Sequence, residues 1–133
     1  MQPLALVVED DKSIHLIYKH VLNKKGYNIL WAADGAQALE LLSRHAPDIL
    51  FLDMLLPHVD GTTVLDYLRE SPHLENTYVV VVSAHSRYEN ELAGLAGEFL
   101  LKPLQMPVIE SAIQHAVEQQ QDNDVDLSDS AFS

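Results

Sequence analysis

Thr77-Tyr78-Val79-Val80-Val81-Val82-Ser83 holds four consecutive valines with no polar residue between them. Alternation would mark a strand with one wet face. An unbroken apolar run of this length marks a central strand of a parallel sheet, covered on both sides. Working outward, the same texture recurs upstream in Asp48-Ile49-Leu50-Phe51-Leu52-Asp53 and in Leu4-Ala5-Leu6-Val7-Val8. Tyr27–Ala32 and, downstream, Phe99–Lys102 complete a set of five expected strands.

Helical patterns fill the gaps. Ile14, Ile17, Tyr18, Val21 and Leu22 recur at helical spacing, with Asp11 placed to cap the start and Gly26 to end it. Asp34 with Gln37 resembles a capping box opening a helix that buries Ala38, Leu39 and Leu42 and stops before Pro47. Thr62–Glu70 reads as a short helix closed by Ser71-Pro72, and Arg87–Ala96 as a weak one. Val108, Ile109, Ala112, Ile113, Ala116 and Val117 form the apolar face of a last helix, with Pro107 tolerated in its first turn. Strands alternating with helices predict an α/β fold, a doubly wound, flavodoxin-like (βα)5 sheet. Right-handed crossovers favour the order 2-1-3-4-5. One domain over residues 1–120 is expected, followed by a polar, acidic tail over 121–133 whose composition is that of a disordered segment.

The chain has 133 residues and a net charge of −12. A surface this acidic repels DNA phosphates and anionic lipid, so neither nucleic acid nor membrane is an expected partner. Without cysteines there are no disulfides and no thiolate metal sites. The absence of a signal-peptide pattern in Met1–Val8 and of cysteine suits a cytoplasmic location. The seven histidines are scattered and read as structural or exposed.

In open parallel sheets, ligands bind beyond the carboxyl ends of the strands. Here those ends carry Glu9, Asp10 and Asp11 after the first strand, Asp53 on the third, Ser83 on the fourth and Lys102 on the fifth. Two carboxylates about 4 Å apart repel by roughly 4 kcal/mol at an effective dielectric near 20. A cluster of them therefore needs a cation, or one must hold a proton, and Mg²⁺ suits an all-oxygen donor set. With charge neutralised, one carboxylate oxygen can attack phosphorus. Read blandly, Asp10 and Asp11 are helix caps, Asp53 starts a turn, and Asp60-Gly61 is a turn. The joint placement at strand ends favours chemistry.

Leu-Val-Val-Glu9-Asp10-Asp11, Leu-Asp53-Met-Leu-Leu-Pro57-His-Val-Asp60-Gly61, Val-Val-Ser83-Ala84 and Leu-Leu-Lys102-Pro103 together resemble the four signatures of response regulator receiver domains, over about residues 4–120. The resemblance implies that Asp53 accepts a phosphoryl group from a histidine kinase or histidine phosphotransfer protein. It implies Mg²⁺ (or Mn²⁺) held by Asp10, Asp53 and the Leu55 backbone carbonyl, with Glu9 helping through a water. Ser83 and its neighbour Ala84 would meet the phosphoryl group, Lys102 would pair with it, and Phe99 would rotate inward. The Lys102-Pro103 bond would be cis. Output would pass to a downstream protein, or to a second copy in a homodimer, through the face made by the fourth helix, fifth strand and fifth helix. No DNA-binding segment follows, so a single-domain regulator or phosphorelay shuttle is expected, as is a signalling switch rather than an enzyme.

Three features depart from the commoner pattern. The stretch from Ser83 to Lys102 is shorter by about one helical turn, or 3–4 residues. Leu55 and His85 stand where the family tunes dephosphorylation, and Leu55 cannot orient a water, so slow loss of phosphate is expected. Phe99 lacks the hydroxyl of a switch tyrosine. The short fourth helix supports an alternative, a phosphorylation-independent interaction module on the same fold. Enzyme readings fit poorly. A haloacid-dehalogenase-type phosphatase would want an Asp where Leu55 stands, and a nucleotide-binding loop would want glycines where Glu9-Asp10-Asp11 stands.

Overall fold

The computed structural model describes residues 2–55 and 59–132, with side chains as far as Gln121. The chain runs β1 (Leu4–Val8), α1 (Lys12–Lys24), β2 (Asn28–Ala32), α2 (Gly35–Arg44), β3 (Ile49–Asp53), α3 (Gly61–Arg69), a 3₁₀ turn (Pro72–Leu74), β4 (Tyr78–Ser83), a 3₁₀ segment (Ser86–Leu92), β5 (Gly97–Leu101) and α4 (Met106–Phe132). The strands form one parallel sheet in the order β2-β1-β3-β4-β5, as expected.

Both faces are dry because successive residues of the central strands point to opposite sides. Ala5, Val7, Ile49, Phe51, Val80 and Val82 pack with Tyr18, Val21 and Leu22 of α1 and Ile109, Ala112 and Ala116 of α4. Leu6, Val8, Leu50, Leu52, Val79 and Val81 pack instead with Ala38 and Leu42 of α2 and Val64, Leu65 and Leu68 of α3. Each fully buried Leu, Val or Phe contributes about 1.5–3 kcal/mol, which is why the apolar runs dictate the architecture.

The caps form as the sequence suggests. Asp11 Oδ1 accepts from the Ser13 N–H at 2.9 Å, and Asp34 Oδ1 accepts from the Gln37 N–H at 2.8 Å. Gln37 Oε1 returns the bond to the Ala33 N–H, one residue before the cap. Gly26 adopts φ +83°, which ends the α1 connection where a β-branched residue would be strained. Gly97 opens β5 because a Cβ there would lie 1.9 Å from the Val79 carbonyl oxygen. The fifth strand accordingly starts two residues before the expected Phe99.

Two expectations are corrected. The fourth connection is a 3₁₀ segment over Ser86–Leu92, not an α-helix over 87–96. Tyr88, Leu92 and Leu95 pack on the face shared with α2 and α3. The geometry is set by reach. Seven residues rise about 14 Å as 3₁₀ but only about 10 Å as α-helix, and the segment must return along strands about 17 Å long. Gly94, at φ +85°, then turns the chain into β5. The side chain of Arg69 on α3 replaces the missing helical bonds, donating Nε–H to the Ala93 carbonyl at 2.9 Å and a second N–H to the Glu91 carbonyl. The second correction is at the C-terminus. The backbone of α4 continues as helix to Phe132, through the segment whose composition suggested no structure.

Candidate functional site

A parallel sheet sends every strand's carboxyl end to one rim, and the polar residues at those ends meet there. Asp53 closes β3 and pairs in register with Val82, so Ser83 lies one step beyond it on the adjoining strand. The Lys102 N–H donates to the Ser83 carbonyl at 2.8 Å, which carries the registry of β4 and β5 past their last paired residues. The Glu9 N–H likewise donates to the Ala32 carbonyl at 3.0 Å, extending β1 along β2. The Lys102–Pro103 bond is cis, as anticipated.

Glu9 and Asp53 are buried, 2% and 5% exposed, while Asp10 is open to solvent. Each of the three offers an oxygen, and these oxygens lie within 4.8 Å of one another. Lys102 Nζ donates to Asp53 Oδ2 at 2.9 Å and stands 3.6 Å from Glu9 Oε2. The Leu55 N–H donates to Asp53 Oδ1 at 3.0 Å. One ammonium thus faces two buried carboxylates, and Glu9 Oε1 has no hydrogen-bond partner among the described residues.

Fully ionised, the cluster carries more negative than positive charge. Burial, then the hydrogen bond and charge of Asp53, push the Glu9 carboxyl up to about 8. Burial pulls the Lys102 ammonium down, but Asp53 and Glu9 together outweigh it and leave its pKa raised. A hard, oxygen-seeking cation answers both the crowding of carboxylates and the orphaned Glu9 oxygen, so the donor set fits Mg²⁺.

The remaining expected residues are placed less tightly. Asp11 turns away to cap α1 and is no part of the cluster. Ser83 is buried, and its Oγ accepts from the backbone N–H of His85 at 3.1 Å. Ala84 and His85 continue the chain as exposed residues. The Leu55 side chain is exposed. Phe99 is half-buried against the apolar cluster under α2 and α3, opposite Val81 rather than beside Asp53. The expected loop from Met54 to Gly61 is described only in part, because its Pro57, with Leu56 and His58, lies outside the described residues. One contact carried no sequence signal. His15, on α1, reaches the Glu9 backbone carbonyl from six residues away.

A family model described as response regulator receiver domain matches residues 5–114. Sporulation initiation phosphotransferase F of Bacillus subtilis (strain 168) is 30% identical over 119 residues, covering 86% of this chain and 93% of that protein. Response regulator MprA of Mycobacterium leprae (strain TN) is 34% identical over 101 residues, 74% of this chain. The match spans only 43% of that longer relative. Among solved structures, a response regulator receiver domain (CheY-like) from Methylobacillus flagellatus matches with TM-score 0.76 at 26% identity, over 87% of this chain and 99% of that one.

Proposed function

We propose, for a chain that belongs to the response regulator receiver family, that Asp53 is the phosphoacceptor of a signalling switch. Phosphorylation and Mg²⁺ binding are general for that family. The observation that carries the assignment to these residues is the buried Asp53 carboxylate, bonded to Lys102 at 2.9 Å and clustered with Glu9 and Asp10.

Glu9, Asp10 and Asp53, with the Leu55 backbone carbonyl, would hold the metal. When bound, Mg²⁺ supplies positive charge that stabilises the oxygens of the transferred group. One Asp53 oxygen forms the new bond to phosphorus as the bond from phosphorus to the donor's nitrogen breaks. The Leu55 N–H and Lys102 hold Asp53 in place. Lys102 then neutralises a phosphoryl oxygen, and the Ser83 hydroxyl and Ala84 N–H donate to others. Leu55 and His85 flank the product, and the apolar Leu55 side chain leaves no group there to orient an attacking water. The donor is a histidine kinase or a histidine phosphotransfer protein of the cytoplasm.

Addition of about −1.5 to −2 charges at Asp53 draws Ser83 and Lys102 toward the phosphoryl group, and Phe99 follows by packing. The output surface is the 3₁₀ segment, β5 and the start of α4, where Leu101, Met106 and Val108 are exposed. A downstream protein or a second copy docks there. Residues 1–120 form the switch and 121–133 are an appendage to it.

Incubation with a small phosphodonor and Mg²⁺ tests the reading by mass. Wild type gains one phosphoryl group, and Asp53→Asn gains none. Equal gain by both, or no gain by wild type, refutes it. No gain would favour the second reading, an interaction module independent of phosphorylation, to which the missing fourth helix lends support.

A further inference from the structure

The geometry points to His15 as a positioning residue for the acidic cluster, acting through the peptide group that joins Glu9 to Asp10. The inference rests on the reading of that cluster as a metal site. His15 Nε2 lies 2.7 Å from the Glu9 backbone oxygen. The acceptor is a carbonyl, so Nε2 carries the hydrogen and donates. The ring is set from its other side by Trp31 of β2, with ring centroids 4.5 Å apart and planes tilted by 32°. The Glu9 N–H is already taken by the Ala32 carbonyl. Both backbone groups of Glu9 are therefore tied, one to β2 and one to α1.

The consequence follows from the planarity of the peptide. The Glu9 carbonyl belongs to the same rigid plane as the Asp10 N–H. Fixing that oxygen fixes how Glu9 turns into Asp10, and so the direction in which each side chain leaves the chain. Three carboxyl groups within 4.8 Å repel once they ionise. Rotation of this peptide would swing Asp10, exposed and past the end of β1, away from the other two. The His15 bond opposes that rotation. Among the described residues no second donor reaches the Glu9 carbonyl oxygen. His15 touches neither phosphorus nor metal in this arrangement. Its effect is to preorganise the ligands that do.

Two variants separate donor from bulk. His15→Gln and His15→Met have side chains of similar length and helix propensity, and only Gln offers an N–H. Calorimetric titration with Mg²⁺ alone measures the metal affinity of each, and melting in EDTA measures the fold without metal. We expect similar melting temperatures for the two variants. We expect His15→Met to bind Mg²⁺ about three- to tenfold more weakly than wild type, the range set by one hydrogen bond, and His15→Gln to recover most of the loss. Equal Mg²⁺ affinity in the two variants overturns the assignment. Absence of Mg²⁺ binding by the wild type overturns instead the metal-site reading beneath it.

Discussion

Lys102 is the residue on which the cluster's charge balance turns. Among the described residues it is the single cation beside two buried carboxylates, at 2.9 Å from Asp53 and 3.6 Å from Glu9. Removing one partner of such an arrangement leaves the other charge buried and uncompensated. Lys102→Met should therefore fold but take up phosphate from a small donor at least about tenfold more slowly, since it forfeits a charge-assisted hydrogen bond worth roughly 1.5–3 kcal/mol. Mg²⁺ binding should persist, because the three carboxylates remain. Initial rates of mass gain and a Mg²⁺ titration measure the two effects separately. Uptake at the wild-type rate would show that Lys102 has no part in the transfer. The identities of Glu9, Asp10, Asp53, Ser83 and Lys102 were legible in sequence because a parallel sheet converts "end of strand" into "same rim". Their mutual contacts were not. No periodicity reveals that Lys102 leans toward Asp53 more than Glu9, that Asp11 leaves the cluster to cap a helix, or that a histidine six residues away secures the Glu9 carbonyl.

At the scale of elements, the strands were readable where burial is complete. Leu4–Val8 matched to the residue, and Tyr78–Ser83 and Ile49–Asp53 differ from expectation by one residue each. The fourth connection was misread because its geometry is decided by the distance to be spanned and by a long-range partner, Arg69, and neither shows in the local sequence. That dependence is testable. Arg69→Ala removes the bonds to the Glu91 and Ala93 carbonyls and an ion pair to Asp66 at 3.0 Å. A loss of about 1–2 kcal/mol is expected from the two hydrogen bonds, with faster amide exchange concentrated in residues 86–96. Unchanged exchange there would show that the segment is held by its apolar contacts alone.

A second inter-element tie sets a pH dependence. Glu98 of β5 accepts from the Tyr78 hydroxyl of β4 at 2.8 Å, and the same oxygen meets His115 Nδ1 of α4 at 2.7 Å. The hydrogen bond and charge of Glu98 raise the pKa of His115. A histidine raised in the folded state stabilises fully below its unfolded value of 6.5 and loses that contribution as pH rises through its higher folded value. His115 is half exposed, so the effect should be a few tenths of a kcal/mol and should fade with salt. Urea titrations at pH 6 and pH 8 should show a stability difference that His115→Gln reduces. The opposite sign would refute the pairing.

For the molecule as a whole, stability comes from two apolar layers, and among the described residues the last buried member of either is Ala116. The continuation of the last helix past residue 120 was not legible because composition reports on core-forming capacity. The residues 122–133 carry four carboxylates, Asp122, Asp124, Asp126 and Asp129, and two large apolar side chains at Leu127 and Phe132. Carboxylates in the last turns of a helix also oppose its dipole. Ending the chain after Gln121 should therefore leave the melting temperature within about 2 °C, since the expected change lies inside ±0.5 kcal/mol, and should leave phosphate uptake unaltered. A larger drop would show that the appended helix belongs to the cooperative unit.

The uniform direction of the five strands divides the labour of the loops. Glu9, Asp10, Asp53, Ser83 and Lys102 all sit at the carboxyl end of a strand or in the connection leaving it. The connections at the opposite rim, such as Lys25–Tyr27, His45–Asp48 and Ser71–Thr77, carry backbone turns and none of the clustered carboxylates, hydroxyl or ammonium. That rim is where opening, re-splicing or fusing the chain to a passenger should cost the cluster least, because Glu9, Asp10, Asp53, Ser83 and Lys102 stay together at the far edge.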